Sequence, residues 1–161
     1  MPPDITAQDL MRPNFLRIGA GHTLREALGI LLDPQTRRRG TTVLFVLRPE
    51  GTLAGVLTTR TLLRALIPDW AQQEPSEGID IPAFEKRLLG EIQNQLDRRV
   101  TEAMATDFET ALPSDRLAVL IERMQTKRLE CMPVLESDRV VGVIYLTDVF
   151  NAAAQLALTS S

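Results

Sequence analysis

GVIYLTDVF (142–150) and GVLTTRTLL (55–63) decide the reading of this chain. Each is an apolar run behind a glycine that turns through a threonine-containing corner and continues at helical spacing. The start of a helix leaves backbone N–H groups unpaired, and such a corner can cap itself or hold a polar or anionic ligand. The two corners share the glycine and the apolar residues but differ in the polar ones: Thr147-Asp148 in one, Arg60-Thr61 in the other.

Working outward from these corners, the chain repeats. MRPNFLRIGAGHTLREALGIL (11–31) lies over MATDFETALPSDRLAVLIERM (104–124), pairing Met11 with Met104, Phe15 with Phe108 and Leu24 with Leu117. FVLRPEGTLAGVL (45–57) lies over PVLESDRVVGVI (133–144), pairing Gly55 with Gly142. The first copy carries an insertion around DPQTRRRGTT (33–42), which is read as a loop. Thr23-Leu-Arg-Glu26 forms a capping-box pattern, and Leu24, Ala27, Leu28, Leu31 and Leu32 follow helical spacing. Leu117, Leu120, Ile121 and Met124 do the same after Ser114 or Asp115.

Two β-rich runs then flank a turn in each copy, Arg48-Pro-Glu-Gly51 or Glu136-Ser-Asp-Arg139. Each copy closes with a helix, TLLRALI (61–67) ahead of Pro68 and DVFNAAAQLAL (148–158). A short extended piece, FLRIG or FETAL, precedes the first helix. The predicted order is β-α-β-β-α, twice: an α/β (α+β) fold. Between the copies, Gln72 to Gly78 reads as a loop. Phe84, Leu88, Ile92 and Leu96 mark an amphipathic helix after Pro82.

Composition narrows the function. A formal charge of −3 and a pI near 5.2 argue against binding a nucleic-acid polymer, which calls for a basic surface. The single cysteine, Cys131, allows no intrachain disulfide, and with the single histidine, His22, it makes no usual zinc site. MPPDITAQDLM lacks the features of a signal peptide, and no apolar run is long enough to insert into a bilayer. No phosphate-loop, dinucleotide or nucleophile-elbow pattern is present. A soluble cytoplasmic protein that is not an enzyme is expected.

Paired β-α-β-β-α copies whose last strand ends in Gly-apolar-apolar-[Ser/Thr]-x-x-Asp resemble cystathionine-β-synthase (CBS) domains; two in tandem form a Bateman module. The ordered set of Met-x-x-x-Phe, capped helix, Pro133-Val134 strand and Gly-led strand carries the likeness. It assigns residues 5–68 and 100–158 to two CBS repeats and 69–99 to a linker with a helix. It implies pseudo-two-fold symmetry, with two clefts between the copies that take AMP, ADP, ATP or S-adenosylmethionine, and no catalytic cofactor or metal. It also implies a homodimer that senses energy status or a similar signal and regulates an enzyme, channel or transporter. The ligand-free alternative is a dimerisation or protein-interaction module.

Asp148 fills the family's aspartate position, and its carboxylate can accept hydrogen bonds from both ribose hydroxyls. Thr147 beside it can reach a ribose or phosphate oxygen. The same two residues also suit a helix start with no ligand, Thr147 as N-cap and Asp148 in the first turn. Thr110 stands where the family often has a pocket threonine. Met132 and Pro133 can hold an adenine, or simply pack a strand. Lys127 and Arg128 can neutralise phosphate, or sit at a solvated helix end. Tyr145, in place of the family's Ser/Thr, can stack on a base or pack in the core. In the first copy Thr58 keeps the Ser/Thr position but Thr61 replaces the aspartate, while Arg60 and Arg17 favour anions. One ribose site around Asp148 is therefore expected, with the Thr58 side empty, degenerate or phosphate-binding. Arg37, Arg38 and Arg39 are read as a loop or a phosphate clamp, His22 as an exposed loop residue, and Cys131 as packing.

Overall fold

A computed structural model describes residues 4–37, 43–71 and 78–160. The elements run α1 (Ala7–Leu10), β1 (Leu16–Gly19), α2 (Leu24–Leu31), α3 (Pro34–Arg37), β2 (Val43–Leu47), β3 (Leu53–Thr58), α4 (Thr59–Leu66) and α5 (Ile81–Gln95). After a 3-10 turn at Val100–Glu102 come α6 (Leu117–Lys127), β4 (Cys131–Glu136), β5 (Arg139–Tyr145) and α7 (Leu146–Thr159). The fold is α+β with small sheets.

The chain divides into two compact units, and these do not coincide with the two sequence copies. One holds the entrance segment up to Phe15, Gly51–Leu53 and everything from Asp107 on; the other holds Leu16–Glu50 and Ala54–Thr106. We call them the Asp148 unit and the Thr61 unit. Each copy's entrance segment, with its methionine, belongs to the unit that contains the other copy's corner.

The Thr61 unit has a three-stranded sheet in the order β1-β2-β3, with β1 and β2 parallel (Leu16 opposite Leu44, Gly19 opposite Leu47). Helix α2 begins where expected: the Thr23 hydroxyl accepts from the Glu26 amide at 3.3 Å while Glu26 returns to the Thr23 backbone. Its buried stripe, Leu24, Ala27 and Leu31, packs with Leu44, Val46, Leu57, Leu62 and Val100. Ile92 and Leu96, from the predicted apolar stripe of the linker helix, lean on that core without being fully buried. Asp80 caps α5 by accepting from the Ala83 amide at 3.2 Å, with Pro82 in the first turn.

The Asp148 unit has a two-stranded antiparallel sheet, β4 against β5, with Pro133 opposite Val143. Its turn places Ser137 and Asp138 at φ of 53° and 65°, the left-handed pair that lets a two-residue hairpin follow the strand twist. The core gathers Ala7, Ala111, Leu120, Met124, Met132, Val134, Ile144 and Val149.

Four local expectations change. FETAL forms no strand beyond a single parallel bridge from Ala111 to Val134. Ala111 donates to the Pro133 carbonyl at 2.9 Å and accepts from the Leu135 amide at 2.8 Å, while on either side of it the Thr110 carbonyl accepts from Arg123 Nη1 at 2.7 Å and the Leu112 amide donates to Asp115 at 2.8 Å. Helix α6 is accordingly capped by neither Ser114 nor Asp115; Arg116 stands at its N-cap. Helix α7 starts two residues earlier than predicted, with Tyr145 at the N-cap, so Thr147 is inside the first turn. The insertion expected as a loop contains α3, with Arg37 at its end. Arg38, Arg39 and most of the Gln72–Gly78 loop lie outside the described residues.

Candidate functional site

The two glycine-led strands explain the repeated methionines. A Cβ on Gly142 would lie 2.8 Å from Met11 Sδ and 2.9 Å from its Cγ. A Cβ on Gly55 would collide with the Met104 thioether and sit 2.9 Å from the Ala105 carbonyl oxygen. Only glycine admits so close an approach. Reciprocal backbone bonds fix each entrance segment: Arg12 N to Val143 O at 2.8 Å and Val143 N to Arg12 O at 3.0 Å, against Val56 N to Ala105 O at 3.0 Å and Ala105 N to Val56 O at 2.9 Å. Further upstream the match continues. Ala7 N donates to Asp115 O and Leu117 N to Ile5 O; Val100 N donates to His22 O and Leu24 N to Arg98 O. Arg12 thus occupies, in the Asp148 unit, the position that Ala105 occupies in the Thr61 unit.

That single exchange changes the chemistry of the corner. In the Asp148 unit, Arg12 Nε donates to Asp148 Oδ2 at 2.8 Å and Nη2 to Oδ1 at 2.9 Å, a two-pronged ion pair. The same guanidinium lies 5.0 Å from the centroid of the Tyr145 ring. The Asp148 bond raises the Arg12 pKa above its ordinary value, despite an opposing desolvation effect. The Asp148 side chain keeps 22% of its surface exposed and that of Arg12 keeps 55%. Sequence reasoning missed Arg12. The available signal was the repeat itself, which sets Arg12 against Ala105 and Asp148 against Thr61.

Around this corner, Thr147 is exposed on α7. Met132 is fully buried in the core, so its side chain has no surface to offer a ligand, and Pro133 is buried beside it. The Thr110 side chain is half-buried. Lys127 sits 3.8 Å from Glu109, and Arg128 ends α6 exposed, with a left-handed φ of 53°. Cys131, opposite Tyr145 in the hairpin, is half-buried, and burial pushes its thiol up to about 11.

In the Thr61 unit the corner is closed on itself. The Thr58 hydroxyl accepts from the Thr61 amide at 3.2 Å, and the Thr61 hydroxyl takes the Thr58 amide at 2.8 Å and donates to the Thr58 carbonyl at 3.0 Å. Thr58 is thus a helix cap. Arg60 is exposed in the first turn of α4. An open pocket of about 630 Å³ lies along α4, with Thr61, Arg64, Arg98, Glu102 and Ala105 among its walls. Arg17 lines a separate, wider depression of about 1040 Å³ with His22, Glu26 and Arg48. His22 is the exposed loop residue expected, and its Nδ1 contacts the Glu26 carboxylate, whose pKa this lowers. Among the described residues, no group of three or more His, Cys, Asp or Glu side chains is placed to hold a metal ion. No helix there is long and apolar enough to cross a membrane.

No curated protein matches the chain. Solved structures do. The CBS domain of a CBS-domain-containing membrane protein from Sphaerobacter thermophilus shares 20% identity, with a TM-score of 0.69 over 92% of this chain and 87% of that one. A Methanocaldococcus jannaschii protein described as a candidate archaeal homolog of γ-AMPK shares 24% identity at a TM-score of 0.70, over 93% of this chain and 48% of that one. The cytosolic domain of the Mg2+ channel MgtE, solved in complex with ATP, shares 22% identity at 0.64, over 92% of this chain and 48% of that one. The chain therefore spans about half the length of those last two. The family model for the CBS domain matches residues 7–68 and again 100–155. The protein is a member of the CBS-domain family, carrying two such domains in tandem.

Proposed function

We propose that this CBS pair is a non-catalytic regulatory module that binds an adenosine-containing ligand, AMP, ADP, ATP or an S-adenosyl compound, at the Tyr145–Asp148 corner. The observation that carries the reading is the partly exposed Asp148 carboxylate in the first turn of α7, the helix whose N-cap is Tyr145. A carboxylate there can take both ribose hydroxyls, the helix start favours anionic groups, and Tyr145 offers a face to a base. The ATP bound to the MgtE domain and the γ-AMPK kinship of the archaeal neighbour support an adenine nucleotide. By the same corner-by-corner comparison, the Thr58–Thr61 side holds no ribose.

Signalling would follow from differential affinity: a ligand shifts a conformational equilibrium only by as much as it prefers one state. The recipient is an enzyme, channel or transporter partner in the cytoplasm, and the module acts as a homodimer. Exposed apolar side chains on α6 and α7, among them Val119, Ile121, Phe150 and Leu158, support a protein contact. One observation favours the ligand-free alternative, an interaction module: the Asp148 carboxylate already has a partner in Arg12.

Thermal-shift screening with AMP, ADP, ATP and S-adenosylmethionine separates the two. A ligand at a hundred times its dissociation constant stabilises the fold by about 2.7 kcal/mol, a shift of several degrees. The regulatory reading predicts such a shift for at least one compound and its loss in Asp148→Ala. No shift with any of the four would leave the interaction module.

A further inference from the structure

We infer that Arg12 is an intramolecular competitor for the ligand, a side-chain latch that covers the Asp148 corner in the resting protein. The inference rests on the reading of that corner as an adenosine site and adds its regulation. Two recognition elements are needed there, a carboxylate for a vicinal diol and an aromatic face for a base. One guanidinium engages both: it bonds each carboxylate oxygen, at 2.8 and 2.9 Å, and lies 5.0 Å from the Tyr145 ring centroid. A ribose diol would address the same two oxygens with the same two-pronged geometry, so diol and guanidinium compete for one acceptor pair.

The latch is built to move only at its tip. The Arg12 backbone is held on both sides by Val143, and Met11 is seated over Gly142, so the segment stays docked. The side chain is more than half exposed, and a guanidinium released into water regains most of its hydration. The other corner supplies the contrast. With Ala105 and Thr61 in the equivalent places it has neither latch nor carboxylate, so the arginine and the aspartate occur together or not at all. A general need for an arginine at the entrance segment would not produce that pairing.

Competition predicts that ligand affinity carries the cost of opening the pair. The test uses adenosine itself, which has no phosphate to be attracted by a freed arginine, with isothermal titration of wild type, Arg12→Gln and Arg12→Lys. Arg12→Gln binds adenosine about two- to fivefold tighter than wild type, the range for a partly exposed ion pair. Arg12→Lys, which keeps the charge but not the fork, falls between them. Raising the salt from 0.05 to 0.5 M, roughly a threefold shortening of the screening length, tightens adenosine binding to wild type and leaves Arg12→Gln unchanged. Equal or weaker binding by Arg12→Gln overturns the latch while leaving the adenosine site standing. Absence of binding by all three proteins, to adenosine and to AMP alike, overturns the site and the latch with it.

Discussion

The two strand-to-helix corners share a backbone plan and divide at two side chains. Both present a glycine-led strand to a methionine, both receive an entrance segment through a reciprocal pair of backbone bonds, and both turn into a helix three residues later. In the Thr61 unit the third helical residue is Thr61, which closes a capping box with Thr58. In the Asp148 unit the N-cap is Tyr145, which offers no capping side chain, and the third residue is a carboxylate drawn to Arg12. The same geometry closes a capping box in one unit and holds a carboxylate–guanidinium pair in the other. The difference teaches that the repeat specifies the scaffold, while departures from the repeat mark chemistry.

The largest effect comes from breaking what the corners share. Gly55→Ala should cost about 2–3 kcal/mol in denaturant unfolding, since the new methyl meets a backbone carbonyl that cannot swing aside. Gly142→Ala meets only the flexible Met11 side chain and should cost about 1–2 kcal/mol, partly recovered by adding Met11→Ala. No cost at either glycine would deny the close approach of the entrance segments, and equal costs would deny the difference between a fixed carbonyl and a flexible side chain.

Next comes the cap. Thr58→Ala removes the acceptor of the Thr61 amide and should lower stability by about 1 kcal/mol, read from the urea midpoint. The distinguishing pair is smaller still: Arg12→Ala should cost under about 1 kcal/mol, as partly exposed ion pairs do. Grafting the pair across the repeat, with Ala105→Arg and Thr61→Asp together, should show a favourable coupling of about 0.5 kcal/mol in a double-mutant cycle. Absence of coupling would mean that the pocket beside Thr61 does not reproduce the geometry of the other corner.

A separate comparison is a pH signature confined to the Asp148 unit. Cys131 has its thiol raised by burial from 9.0 to about 11, and the position matching it in the first copy is Val43. A folded pKa above the unfolded one means that this contribution to stability is complete below pH 9. It falls away as pH rises from 9 to about 11, because the unfolded chain ionises first. The urea midpoint of wild type should therefore drop more between pH 8 and pH 10 than that of Cys131→Ala.

Much of this was legible in the residues. Helical spacing and the Thr23–Glu26 box announced α2, Pro82 and the four-residue rhythm announced α5, and Gly55 and Gly142 announced the repeated strand. What stayed hidden is long-range. Met11 and Gly142 each have ordinary local explanations, and nothing in linear order says that the first copy's entrance segment completes the second copy's corner. For the same reason Arg12 went unnoticed, since its partner lies 136 residues away. Thr147 misled because a threonine before an aspartate is a good local cap; the amide of Leu146 instead donates to the Glu130 carbonyl at 2.9 Å, and the helix starts earlier. Helix α1 was also missed, although Thr6 and Asp9 carry a capping-box pattern like that of Thr23 and Glu26.

The central claim is that only the Asp148 corner holds an adenosine ligand. Its most direct test is isothermal titration of the best ligand from the thermal-shift panel into wild type, Asp148→Asn and Thr61→Ala. The account predicts one site per chain in wild type, an unaltered site in Thr61→Ala, and at least a tenfold loss of affinity in Asp148→Asn, since hydrogen bonds to a charged acceptor are the stronger kind. Two sites per chain, or full affinity in Asp148→Asn, would contradict it.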